Sequence, residues 1–329
     1  MTLRNKMLAT IAMLPLTIGA QAALADAHSG ECGEVSMTEM NWASSAVVTA
    51  VAKFLMEQGY GCTVATVPSS TTPSLVSVSE TGKPDIVTEL WINGTPAYQE
   101  LSDAGTITTL TDVLSDGGIE GWWIPKYLAD EHPELTTIEG MLANPDLLGG
   151  RFHQCPEGWG CLNTNGALVR ALDMEGNGYE IFQHGSGETM ATAIAAAFEN
   201  EEPILTYYWG PTSVLGKYEM VQVDLGEHDE EAFLCNANVE CETDSVTSYP
   251  VGPVKTVVTT DFNDRLPQIA ELMTNVAFTN AQMGEILAWQ EENNASADEA
   301  GVYFLTNYAD VWQDWVSDDA REKLGALIN

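Results

Sequence analysis

The chain has 329 residues, 45% of them hydrophobic, with 12 Lys and Arg against 48 Asp and Glu and a formal net charge of −36. That length is enough for two lobes, each with its own core. So acidic a surface repels nucleic acid and anionic lipid, which excludes both as partners, and it suits a protein dissolved in a salty medium.

The first residues read as a secretory signal. Arg4 and Lys6 precede an apolar run from Met7 to Ala20 that is too short to span a bilayer, and small residues with A-x-A spacing follow it. The expectation is that residues 1–25 are removed on export and that the mature chain works in the periplasm as a monomer. The six cysteines agree with an oxidising compartment. Cys155 and Cys161 are close in sequence, as are Cys235 and Cys241, and each pair can close a short loop. Cys32 and Cys62 then remain as a third pair, one of the many connectivities that six cysteines allow.

In chain order, Glu34 to Met40 reads as a strand ending at Asn41-Trp42. Ser44 or Ser45 can cap a helix through Val47, Val48, Val51, Ala52, Phe54 and Leu55 to Gly59. Cys62 to Val67 is a second strand. Pro84 to Trp91 is a third and again ends on a tryptophan. Strands alternating with helices argue for a mostly parallel α/β sheet, in which ligands bind beyond the carboxyl ends of the strands. Trp42 and Trp91 fall there.

The stretch from Gly117 to Pro125 interrupts this alternation, and Pro125 can open a helix through Lys126 and Leu128. A second α/β region follows. It holds the loop Cys155-Pro156-Glu157-Gly158-Trp159-Gly160-Cys161, an Ala-rich helix from Glu188 to Glu199, and a strand from Pro203 to Tyr208 that runs into Trp209-Gly210-Pro211. Beyond Tyr249 to Pro253, Val254 to Val258 reads as a strand. Helices follow through Ile269–Met273 and Met283–Glu291, and the end from Tyr308 to Ile328 is helical. The order implies a first lobe from residues 26–122 and 252–329, a second from residues 123–251, and a hinge of two chain crossings over a cleft.

Trp91, Trp159 and Trp209 each sit beside turn formers, where a chain presents a side chain at a strand end or in a loop. Several indole faces converging on one point make a cage for a cation with no N–H to donate, such as a methylated ammonium. At these motifs, and at Glu39-Met40-Asn41-Trp42 and Gly121-Trp122-Trp123-Ile124-Pro125-Lys126-Tyr127, the chain resembles the substrate-binding proteins of quaternary-ammonium ABC importers. The resemblance covers nearly the whole mature chain. It implies an α/β, two-lobed periplasmic-binding-protein fold of type II and a membrane permease as partner. It also implies an aromatic box of Trp91, Trp159 and Trp209. In choline binders of this family a tryptophan near the first strand end also faces the ligand, and this matches Trp42. There an Asp follows two residues later, where this chain has Ser44.

The polar end of the ligand separates the candidates. Glycine betaine offers a carboxylate, choline a hydroxyl, and trimethylamine N-oxide one basic oxygen that a protonated acid can meet. Glu131 is one helical turn past Tyr127, so a helix places both on one face, and a carboxyl among aromatic rings keeps its proton and donates. Few basic residues lie near the motifs, Lys126 and Arg151 being the nearest. The reading is therefore an ABC importer's binding protein for a small methylated amine, with trimethylamine N-oxide ahead of glycine betaine and choline and no cofactor. The rival class is an exported enzyme acting on methylated amines, and no acid/base pair or metal motif of such an enzyme stands out. Asp173, Glu175 and Asn177 begin like a calcium loop, but its twelfth position is His184 rather than a bidentate acid, so the segment reads first as a polar turn.

Overall fold

The computed structural model describes residues 32–328. The secretory signal expected at residues 1–25 lies outside them. Among the described residues no helix is long and apolar enough to cross a membrane.

Among the described residues there are nine strands: β1 (Gly33–Met40), β2 (Cys62–Ser69), β3 (Ile86–Trp91), β4 (Ile107–Pro125), β5 (Arg151–Gln154), β6 (Glu180–Gln183), β7 (Leu205–Gly210), β8 (Met220–Gln222) and β9 (Gly252–Thr259). They run in the order β2-β1-β3-β9-β4-β7-β5-β6, with β8 beside β4. The expected strands before Trp42, Trp91 and Trp209 are all there. The mostly parallel sheet is not: β1 pairs in parallel with β2 and β3, and β5 with β6 and β7, but β4 and β9 run antiparallel to their neighbours. These two strands join the halves of the molecule, and a chain that crosses and returns must reverse direction.

β4 is the larger surprise. The glycines that read as an interruption lie inside one 19-residue strand. Its first part pairs with β9 from Ile107↔Thr259 to Gly118↔Gly252, and its last part pairs with β7 from Ile119↔Gly210 to Trp123↔Thr206. The register against β9 shifts between Leu114 and Gly118, so the glycines mark a bulge in a continuing strand. Gly118 also has no room for a side chain, because a Cβ there would lie 2.1 Å from the ring of Trp91.

The strands form two sheets that share β4, the first of β2, β1, β3, β9 and the first part of β4, the second of the last part of β4 with β8, β7, β5 and β6, and two hydrophobic clusters follow them. One joins Val35, Met37 and Ile86 to the helices Ala43–Phe54, Asn280–Glu292 and Ala297–Asn307. The other joins Phe152, Leu205 and Trp122 to Leu168, Met190 and Ile194, and it extends to Met40, Trp42 and Leu90 from the first sheet. Helix Ala43–Phe54 buries Val47, Val48, Val51 and Ala52, the face expected from their spacing. The cap differs. Trp42 occupies the N-cap position without a side-chain bond, and the hydroxyl of Ser44 is turned to Glu89 instead. Helix Gly187–Asn200 is closed by a capping box of Ser186 and Thr189. The helical end divides into Ala309–Trp312 and Asp318–Ile328, because Trp312 and Trp315 turn into the core between them. All three cysteine pairs are disulfides: Cys32–Cys62, Cys155–Cys161 and Cys235–Cys241.

Candidate ligand-binding site

Where the two sheets meet, a cavity is lined by Trp42, Trp91, Trp159 and Trp209 together with Glu120 and Tyr207. Thr71, Asn93, Gly160 and Cys161 complete its wall. Each tryptophan arrives by a separate route. Trp42 follows the end of β1, Trp91 ends β3, Trp209 lies near the end of β7, and Trp159 sits in the loop closed by Cys155 and Cys161. The rings meet edge to face: Trp42 and Trp159 are 5.2 Å apart between centroids at 73°, and Trp159 and Trp209 are 4.9 Å apart at 82°. Rings in this arrangement stand nearly at right angles, as the walls of a box do.

Three of the four indole N–H groups are tied at their edges. Trp42 donates to Glu89 at 2.6 Å, Trp91 to Glu89 at 3.4 Å and Trp159 to Asn41 at 2.8 Å. The N–H of Trp209 is buried and has no partner among the described residues. Small residues let the rings come this close. A Cβ on Gly187, at the start of its helix, would lie 3.2 Å from Trp209 and 3.3 Å from Trp159. The Trp159 loop is fastened to the first sheet's side by the N–H of Thr72, which donates to the carbonyl of Gly158 at 3.0 Å.

Two buried acids accompany the rings. Glu120 lies opposite Trp209 in the β4–β7 ladder and accepts from the Tyr207 hydroxyl at 2.6 Å. Its Oε2 has no partner among the described residues. Burial pushes its carboxyl up to about 7, against the Tyr207 hydrogen bond and the nearby Asn93 amide, which favour the ionised form. Glu89 is wholly buried. Burial pushes it too up to about 7, against donors from Ser44, Trp42 and Trp91. Among the described residues that line the cavity there is no Lys or Arg.

Glu131 and Tyr127 do not reach this cavity. Helix Lys126–Glu131 is only 6 residues long and leaves the second sheet from Pro125. The Glu131 side chain, 76% exposed, lies beside His132 at the helix end. The Tyr127 hydroxyl donates to the carbonyls of Ala197 and Glu202, and its ring packs on Phe198. The acid at the cavity is Glu120, eleven positions earlier in the same segment. A signal for it exists in the sequence: Glu120, Trp122 and Ile124 alternate on one buried face of a strand, so an acid there is in phase with the core. Glu89 likewise stands in an uninterrupted buried run from Ile86 to Leu90.

The calcium-like segment is a polar turn. The amide of Asn177 donates to the carbonyls of Leu172 and Asp173, and Asp173 adopts a left-handed backbone with φ 46°. Among the described residues no group of three His, Cys, Asp or Glu side chains is placed to hold a metal ion.

Two sheets bridged by crossing strands, with a ring-lined cavity at their junction, define a two-lobed binding protein of type II. Solved structures agree on the fold. The glycine betaine, L-proline ABC transporter binding protein ProX of Borrelia burgdorferi aligns with TM-score 0.73 at 15% identity, over 88% of this chain and 99% of that one. A choline binding protein of an ABC transporter in complex with choline aligns with TM-score 0.71 at 16% identity, over 91% and 99%. The lactococcal OpuAC in its closed-liganded conformation with glycine betaine aligns with TM-score 0.69 at 17% identity, over 87% and 100%. The chain belongs to the OpuAC family, the substrate binding domain of ABC-type glycine betaine transport systems, which it matches over residues 33–307.

Proposed function

We propose that this protein captures a small methylated amine, with trimethylamine N-oxide favoured, in the tryptophan cage and delivers it to an ABC permease from the periplasm. It acts as a monomer of two lobes, residues 26–122 with 252–329 and residues 123–251, and makes or breaks no bond. The observation that carries the reading is the pairing of the ring box with Glu120, a buried acid with a free oxygen at the same cavity. A trimethylammonium group is large and weakly hydrated. Each desolvated aromatic face contributes roughly 0.5–2 kcal/mol toward holding it.

The choice of ligand rests on the polar end. An N-oxide oxygen only accepts hydrogen bonds, and Glu120 held neutral by burial can donate to it. The carboxylate of glycine betaine would instead bring a second negative charge into a cavity without Lys or Arg. The choline hydroxyl would suit Glu120 in its ionised form. Calorimetric titration with the three ligands tests the proposal. Trimethylamine N-oxide is expected to bind in the micromolar range or tighter and to weaken as pH rises above about 7, where Glu120 loses its proton. Tight glycine betaine binding with no response to trimethylamine N-oxide would overturn the choice of ligand and leave the cage standing. Conversion of any of the three to a product would support the enzyme reading instead.

A further inference from the structure

The cage has a second acid that does not line the cavity. We infer that Glu89 is a positioning residue for cation selectivity: its carboxyl group fixes the edges of Trp42 and Trp91 and, ionised when a cation is bound, supplies negative charge from behind the rings. The inference rests on the proposal that the ligand carries a methylated ammonium.

Four observations lead to it. All three donors converge on one oxygen, Oε1: the Trp42 N–H at 2.6 Å, the Ser44 hydroxyl at 2.7 Å and the Trp91 N–H at 3.4 Å. The other oxygen, Oε2, is buried with no partner among the described residues. No ion pair among the described residues includes Glu89, although Asp85, four residues earlier, is paired with both Lys83 and Arg265. The backbone at Glu89 is left-handed, φ 49°, where the register against β9 shifts between Val87 and Leu90.

A buried acid met only by neutral donors is costly, and a glutamine or leucine would fill the space at less cost. A left-handed non-glycine residue in the middle of a sheet adds strain, and bulges of this kind re-aim side chains beside functional sites. Both costs fall on the residue that tethers two cage rings. An indole N–H donated to an anion forms a strong, short bond and pushes electron density toward the ring, so its face attracts a cation more strongly. A cation held against those faces also becomes the counter-charge that Glu89 otherwise lacks. Ser44 belongs to this device. Its hydroxyl donates to Glu89 rather than capping its helix.

The test uses tetramethylammonium, which has no oxygen end and asks nothing of Glu120 as a donor. Its affinity is measured by tryptophan fluorescence for the wild type and for Glu89→Gln, which keeps the size and one acceptor oxygen. Glu89→Gln should bind at least tenfold more weakly while melting at the same temperature or higher, since a buried charge has been removed. A role in folding alone would lower the melting temperature with little change in affinity. The second measurement needs no Glu89 variant. The indole N–H resonances of Trp42 and Trp91 are followed against pH in Glu120→Gln, which silences the other acid at the cavity. Saturating tetramethylammonium should lower their titration midpoint by at least one pH unit. Affinity of Glu89→Gln within twofold of wild type, or a midpoint unmoved by ligand, overturns the inference. If the wild type binds no methylated amine, the functional reading falls and takes the inference with it.

Discussion

The two halves of the cage hold their rings by different means. On the first sheet's side Trp42 and Trp91 share one anchor, Glu89, which lies behind them and outside the cavity. On the other side Trp159 is set by the Cys155–Cys161 loop and by Asn41, while Trp209 is fixed by packing, its N–H unpaired among the described residues. There the acid, Glu120, lies in the cavity wall beside the rings. Both acids are pushed up to about 7 by burial, so acidity does not separate them. Position relative to the ring faces does. An acid at the edge of an indole sets the ring, and an acid in the wall faces the cavity.

The largest effect should come from the second half's rings. Trp159→Ala and Trp209→Ala are each expected to weaken ligand binding at least tenfold, about 1.4 kcal/mol or more per ring, in a calorimetric titration. Trp91→Ala should reach that threshold by a smaller margin, since its ring is only partly buried. Wild-type affinity in all three would remove the cage.

Glu120 should rank next. Glu120→Ala is expected to lose most of the affinity for trimethylamine N-oxide, because the N-oxide oxygen would be desolvated and unpaired, whereas Glu120→Gln keeps part of it through the amide N–H. Glu120→Gln should also abolish the fall in affinity as pH rises above about 7. A pH profile unchanged in that variant would place the titrating donor elsewhere.

A third comparison is stability. Both acids have folded-state values near 7 against an ordinary 4.5, so between those pH values the folded state holds more protons than the unfolded one. Their contribution is therefore favourable below about 4.5 and is lost as pH rises to about 7, on the order of 3 kcal/mol for each acid. Glu89→Gln and Glu120→Gln should each flatten the decline in melting temperature of the ligand-free protein across that window. The smallest effect is expected from Glu131→Ala, within twofold of wild type in affinity, because its side chain is in solvent.

The strand ends and their tryptophans were legible because the residues beside them punctuate the chain: Asn41 after β1, Asn93-Gly94 after β3, and Gly210 closing β7 with Pro211 after it. The short loops of Cys155–Cys161 and Cys235–Cys241 were legible from spacing for the same local reason. The acids were not. Glu131 shares a helix face with Tyr127, but helical spacing fixes neighbours on one element without saying what that element faces. Glu120 follows Gly117-Gly118, a pair that signals a break locally although the strand continues through it, and its alternation with Trp122 becomes visible only on that continuing strand. What makes Gly118 a glycine is the ring of Trp91, a contact 27 positions away in sequence. No local pattern contains it.

Gly118 has one more consequence. It is paired across the ladder with Gly252, and where Gly118 lies under Trp91, a Cβ on Gly252 would fall 1.8 Å from the Asn93 amide. Two bare positions, side by side on the strands that carry the chain between sheets, thus each accept a cavity-lining side chain directly on the backbone. No cushion of side-chain atoms separates floor from strut. Any twist of these strands must tilt Trp91 and shift Asn93, and any ligand that seats Trp91 must resist that twist. In mechanical terms the receptor surface and the bearing are one part, so occupancy can be felt at the joint without a relay through either core.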